Sequence, residues 1–594
     1  MANLVHWAAL VALGAAASYL RDAASVVAFL GCSIALLTGL RLLWSGFLWP
    51  TYFSPLRHLP TVPDGGRVFS RETLRLYTQP RGVPQSDWVN KLGHVPQGLV
   101  RYRSILGTER LLVLSPEALA EVLVHKTDDF PKPPFIVNEL RQVVGMGLLL
   151  AEGDDHRFQR KMLQPAFAFR HVKDLYPVFW TVAERLVTTM AEQDSATPHP
   201  SARDRTITID IADWAGRAAL DMIGIAGMGQ DFGAIRETDS ELHRAYRRVF
   251  QNPTVANFLA VLRLLLPNWF VNWLPLGRNR ELRRSVQTLR SFCRQMIHEA
   301  RSQQSIDEAG SSVYSSGKNI LTVALSAGAF ADESLVDQLV TFLTAGHETT
   351  GTALTWAVYL LCVHPEMQEK LRSEVRSSLP SPSPSTKTPE SLAAVIDTGM
   401  PYLNAVCKEV LRYFPPVPIT YRQAIRDTSV LQTPVPAGTI VVLAPRVTNR
   451  DSSLWGSDAQ VFNPDRWLSS GDHRAMNSGS GTMPEDRSRS RTMEDGGDIR
   501  ASKQGRAECR AAHKGTSPRS NFASMTFLHG PRSCIGQQFA TAELAIVLAV
   551  LVGRFEFRLA DESLLSEQNL KVSRGATARP TTGILVKAKV VDGW

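Results

Sequence analysis

Cysteine is scarce in this chain, with six in 594 residues and none set as a Cys-x-x-Cys pair. A disulfide-stapled secreted domain and a zinc ribbon both need paired cysteines, so neither fits, and the folded part is expected in a reducing compartment. No Lys or Arg precedes Arg21, so the opening residues are not expected to be a secretory signal peptide, which would carry a basic leader. No repeat of fixed period is present. Lys and Arg outnumber Asp and Glu by 65 to 56, a formal charge of +9. That excess is scattered, without a nucleic-acid motif or an aromatic-basic stripe, which argues against nucleic acid as a partner. An anionic membrane surface or an acidic partner protein suits it better.

Apolar sequence, by contrast, is plentiful: 44% hydrophobic against 20% charged, enough for a large core. Two apolar stretches open the chain. Residues 4–20 are interrupted only by His6, Ser18 and Tyr19, and residues 23–40 carry no charge. The second is long enough to span a bilayer and the first marginally so, giving one span or a two-span hairpin. Trp44 and Trp49 suit the interface, and Pro50, Pro55, Pro60 and Pro63 stiffen the exit. The expected plan is a membrane anchor over 1–49, a proline-rich hinge over 50–64 and one folded domain over 65–594. A buried helical hairpin is the alternative for the first segment.

Helix-like periodicity dominates the rest, as in "VKDLYPVFWTVAERLVTTMAEQ" and "SLAAVIDTGMPYLNAVCKEVLRYF", while strand-like pieces such as "RLLVLSP" and "AGTIVVLAP" are few. The fold class is therefore mainly α with small β-sheets. Residues 302–318 and 469–520 read as polar loops. The second, poor in apolar residues and rich in Ser, Gly and charge, is expected to be a disordered insertion whose closure costs little. "LRLLLPNWFVNWLPLG", with Trp269, Phe270 and Trp273, reads as an interfacial patch or a buried helix pair.

The chemistry gathers around Cys534 in "TFLHGPRSCIGQQFA". Gly530, Pro531 and Gly536 make a rigid turn, and a helix-like run follows at once. A helix N-terminus favours an anion, so a thiolate is stabilised there, and Arg532 adds positive charge. Metal ligand, nucleophile with His529 as base, and buried structural thiol are all open readings. Zinc would need companions that are missing; a single thiolate is a common ligand of haem iron.

Phe527-x-x-Gly530-x-Arg532-x-Cys534-x-Gly536 resembles the haem-binding loop of the cytochrome P-450 superfamily, the haem-thiolate monooxygenases. Three companion motifs stand in that family's order. "AGHETT", within an apolar run from Asp332, a plausible N-cap, to Pro365, resembles the central distal helix. There Glu348 and Thr349 would manage protons, and Ala345 and Gly346 would leave room over the iron. Glu409 and Arg412, one helical turn apart, resemble the Glu-x-x-Arg brace, completed by Arg466 in "VFNPDRWL". "GDDHRFQRKMLQPAF" resembles the proximal helix, with His156 where a Trp is usual and Arg160 in place. Arg160, Arg422 and Arg532, with His156, would then hold the propionates.

That resemblance implies the P-450 fold, haem b (iron protoporphyrin IX) and electrons from NADPH through a cytochrome reductase. It also implies oxidation of a lipophilic small molecule, a fungal secondary metabolite of polyketide, terpenoid or peptide type. The expected location is the endoplasmic reticulum membrane, with the haem domain facing the cytosol. A fatty-acid hydroxylase, a haem-thiolate isomerase or dehydratase, and a haem sensor are the alternatives; an isomerase or dehydratase has no use for the acid–alcohol pair Glu348–Thr349, and a sensor needs no reductase face or substrate channel.

Overall fold

The computed structural model of the chain describes residues 43–62, 70–93, 95–104, 108–192, 206–237, 277–308, 319–381, 392–468 and 520–594, with scattered positions between 29 and 40. Nearly all of the expected anchor, the patch at Trp269, Phe270 and Trp273, and the insertion up to residue 519 lie outside the described residues. Nine strands are described: β1 (Leu99–Arg103), β2 (Glu109–Val113), β3 (Thr206–Asp210), β4 (Thr420–Gln423), β5 (Thr428–Val430), β6 (Thr433–Val435), β7 (Ile440–Leu443), β8 (Phe555–Leu559) and β9 (Leu585–Val590). The chain divides into two compact units, Met1–Pro133 with Ile419–Ala444, and Pro134–Pro418 with Pro445–Trp594.

The first unit is built on a sheet of order β1-β2-β7-β4. The two strand-like sequences are its central pair: β2 and β7 run parallel, with Leu111 opposite Val441 and Val113 opposite Leu443. Their side chains are buried on both faces, as a parallel pair requires, which is why both read as unbroken apolar runs. The flanking β1 and β4 are antiparallel to them. The proline-rich stretch is bonded along β1. Pro60 O accepts the Arg101 N–H at 2.9 Å, and Arg101 Nη2 donates to Pro50 O at 2.6 Å.

The second unit is a helical assembly around one long helix, Asp332–Val363, hereafter the core helix. Its N-cap is Ala331, with no side-chain cap, so Asp332 is its first residue and not the expected cap. As expected, it stops before Pro365, which begins the next helix, Pro365–Ser378, at the one position where a missing N–H does no harm. Helices Ile211–Met222, Gly277–Glu308, Pro401–Tyr413 and Gln537–Arg554 pack on the core helix. At the first crossing a Cβ on Gly351 would lie 3.2 Å from Gly216 Cα, so the missing side chains are what permit the approach.

Gln537–Arg554 is apolar and long enough to cross a membrane, the one such helix among the described residues, but most of it is buried inside this unit. An antiparallel sheet, β3-β9-β8, completes the unit. Gly277–Glu308 corrects the reading of 302–318 as a loop: residues 302–308 continue the helix, since their Gln, Ile and Glu propagate one already formed.

Candidate active site

The approach to Cys534 starts from a buried carboxylate on the helix Pro401–Tyr413. Glu409 is fully buried and accepts from Arg412 Nε (2.8 Å) and Nη2 (2.7 Å), Arg466 Nε (3.1 Å), Trp467 Nε1 (2.9 Å) and the Asn463 N–H (2.8 Å). The expected brace is therefore assembled as the sequence suggested. Arg412 Nη1 donates on to Asn449 O at 2.8 Å. The Asn449 side chain accepts the Met525 N–H at 2.7 Å and donates to Thr526 Oγ1 at 2.8 Å. One polar chain thus runs from the brace to the start of the cysteine loop.

The loop turns on two residues in the left-handed region, Leu528 (φ 55°) and Gly530 (φ 76°). Its closing bond is from the Cys534 N–H to Phe527 O at 2.9 Å. Arg160, on the helix Gly153–Leu163, donates to Ser533 O at 2.7 Å. Arg532 donates to Ala151 O at 2.5 Å and pairs with the Glu152 carboxylate. His529 is turned to Ser524 O, 3.0 Å away, with its ring against Phe522, a setting that does not suit it as a base for the thiol. Arg422 belongs to β4 of the other unit, where it donates to Tyr421 O at 2.8 Å; His156 is buried on the Gly153–Leu163 helix.

Cys534 opens to one side while protein walls the rest, so burial pushes its thiol pKa up. The Gly536 N–H bonded to the sulfur and the Arg160 guanidinium act in the opposite direction, favouring the thiolate. Phe167 lies against Gly536, 3.7 Å from where a Cβ would stand, with its ring 5.3 Å from that of Phe342 on the core helix. That ring joins the cysteine loop to the helix face carrying Phe342, Ala345 and Thr349 at helical spacing. Ala345 is exposed mid-helix although Leu343 and His347 beside it are buried.

Thr349 Oγ1 donates to Ala345 O at 2.7 Å, the i−4 back-bond of a helical threonine. Glu348 is not bonded to Thr349. Its Oε1 accepts from Thr577 Oγ1 at 2.5 Å, with Arg579 Nε 3.9 Å away.

The donor set fits haem iron better than a bare ion. Among the described residues no group of three or more His, Cys, Asp or Glu could hold a metal, whereas one open thiol with an N–H and a guanidinium on it suits a single axial thiolate. Residues 98–491 and 501–587 match the family described as Cytochrome P450. The chain belongs to this family.

Among its relatives, the cytochrome P450 monooxygenase ALT8 of Alternaria alternata is 56% identical over the whole of both chains. The monooxygenase FUM15 of Gibberella moniliformis is 53% identical over 92% of this chain and 90% of that one. The monooxygenase sphH of Aspergillus fumigatus is 38% identical over both full lengths. The protein is thus a P-450 monooxygenase, an oxidoreductase whose family carries haem. Sequence reading missed Asn449, Glu152 and Thr577, since each acts on a residue far away in the chain and none lies in a short motif.

Proposed function

We propose that this P-450 is a membrane-bound monooxygenase that oxidises a lipophilic secondary metabolite, with electrons from NADPH delivered by a cytochrome reductase. The observation that carries the reading is Cys534: an open thiol at a helix mouth, receiving the Gly536 N–H and held by Arg160 through Ser533. When bound as haem b through that sulfur, the cofactor would split dioxygen, placing one atom in the substrate and releasing the other as water for two electrons and two protons. Arg160, Arg532 and His156 are the second unit's candidates for the propionates.

Glu348 and Thr349 are assigned to proton handling. General acid–base work needs an ionisable group and a hydroxyl within reach, directly or through one water, and these two sit beside the exposed Ala345. The sequence before residue 50 is assigned to the endoplasmic reticulum membrane, with the haem domain over 65–594 in the cytosol.

Substrate class is tested by comparing metabolites of a strain lacking the gene with those of its parent. A lipophilic precursor should accumulate, lighter than the missing product by one oxygen or differing by a desaturation. A change confined to straight-chain fatty acids would favour the fatty-acid hydroxylase reading instead.

A further inference from the structure

Three consecutive residues near the carboxy terminus grip the core helix. Thr577 Oγ1 donates to Glu348 Oε1 at 2.5 Å. Ala578 O accepts the indole N–H of Trp356 at 2.8 Å, two turns further along the same helix. Arg579 Nε stands 3.9 Å from Glu348 Oε1. The tripeptide is itself fixed, with the Ala578 N–H on Pro416 O at 2.8 Å and the Ser573 N–H on Arg579 O at 2.8 Å. Trp356 is fully buried and Thr577 nearly so.

Such anchoring does more than pack a loop. The Trp356 bond sets the height of the loop along the helix, and that height puts one hydroxyl and one guanidinium at the carboxylate. A glutamate side chain can take several staggered rotamers, and a charge-assisted hydrogen bond selects among them.

We propose that Thr577 and Arg579 are positioning residues that fix the orientation of the Glu348 carboxyl from which it gives or takes a proton. The inference rests on the reading of Glu348 as a proton-handling group. On that reading the loop is part of the proton path although it lies in none of the motifs that mark the family. Thr577→Val keeps shape and burial but removes the hydroxyl, while Thr577→Ser keeps the hydroxyl. Glu348→Gln tests the underlying reading by itself.

The full-length variants are compared in reconstituted membranes with reductase, using as substrate the precursor that accumulates in the gene-deletion strain. Thr577→Val should lower product per NADPH by about tenfold, the weight of one hydrogen bond to a charged group. Peroxide should rise to match, and the solvent deuterium isotope effect should increase. Thr577→Ser should restore all three. A crystal structure of Thr577→Val should show Glu348 turned away from the loop, with an unchanged unfolding midpoint.

If Glu348→Gln leaves coupling and isotope effect unchanged, the proton-handling reading fails and the clamp's role falls with it. If Glu348→Gln uncouples but Thr577→Val does not, or if Glu348 keeps its place without the Thr577 hydroxyl, the reading stands and the clamp is refuted. Loss of the folded protein in both Thr577→Val and Thr577→Ser would make the contact structural and also overturn the proposal.

Discussion

Glu409→Ala probes the support under the cysteine loop. The buried Glu409 carboxylate stands against the buried Arg412 and Arg466, and Arg466 Nη2 also lies 3.0 Å from Oδ2 of the partly exposed Asp458. After the substitution Arg466 keeps an acid but Arg412 does not, since its remaining acceptors are the carbonyls of Asn449, Ala459 and Val461. Removing one partner of a buried pair costs about 3–5 kcal/mol, because the stranded charge stays desolvated. Two further donors, the Asn463 N–H and Trp467 Nε1, lose their acceptor as well. Against a total stability of about 5–15 kcal/mol this is a large loss. Urea unfolding of the detergent-solubilised protein, followed by tryptophan fluorescence, should show it, together with reduced haem content. Glu409→Leu combined with Arg412→Met should recover much of the loss, because it removes the stranded charge along with its partner. A Glu409→Ala penalty below about 1 kcal/mol, or a double variant no better than the single one, would refute the reasoning.

Glu543, on the helix behind the loop, is 1% exposed, and burial raises its pKa well above the usual carboxylate range, with the Thr350 hydroxyl acting weakly the other way. The folded state then holds a proton that the unfolded state releases, so stability should fall as pH rises above the ordinary glutamate value, by up to about 1.4 kcal/mol per pH unit. Glu543→Gln should flatten that slope between about pH 5 and 7 in unfolding titrations, and parallel slopes for both proteins would contradict the assignment. Deleting residues 469–520, read from the sequence as a polar insertion, should leave haem loading intact; complete loss of haem would show that the segment is structural. Protease added outside intact microsomes should digest the haem domain over 65–594, and its protection would overturn the proposed topology.

Much of the second unit was legible because its signals are local. Glycines at 530 and 536 announce a turn and a close approach, and Pro365 marks the stop of the core helix, whereas the helix-like run around Pro401 is interrupted, with a helix starting at that proline. The spacing of Glu409 and Arg412 was readable as well, but their burial followed only from apolar neighbours. Central strands β2 and β7 were readable as apolar runs; β4, with the sequence Thr-Tyr-Arg-Gln, carries no such run and was missed. The contacts of Asn449 with Met525 and of Thr577 with Glu348 join segments far apart in the chain. No local periodicity encodes pairings of that kind. The Asp332 cap failed for a smaller reason: an acidic residue in the first turn is favoured by the helix dipole whether or not it caps.

The account's central claim is that Cys534 is the axial thiolate of the haem. The direct measurement is the optical spectrum of the full-length protein, reduced and treated with carbon monoxide, for the parent chain and for Cys534→Ala. The parent should give the long-wavelength Soret band of a thiolate-ligated haem, and Cys534→Ala should lose it while its far-ultraviolet circular dichroism stays that of a helical protein. A Cys534→Ala protein that folds and keeps that band would place the ligand elsewhere and contradict the account.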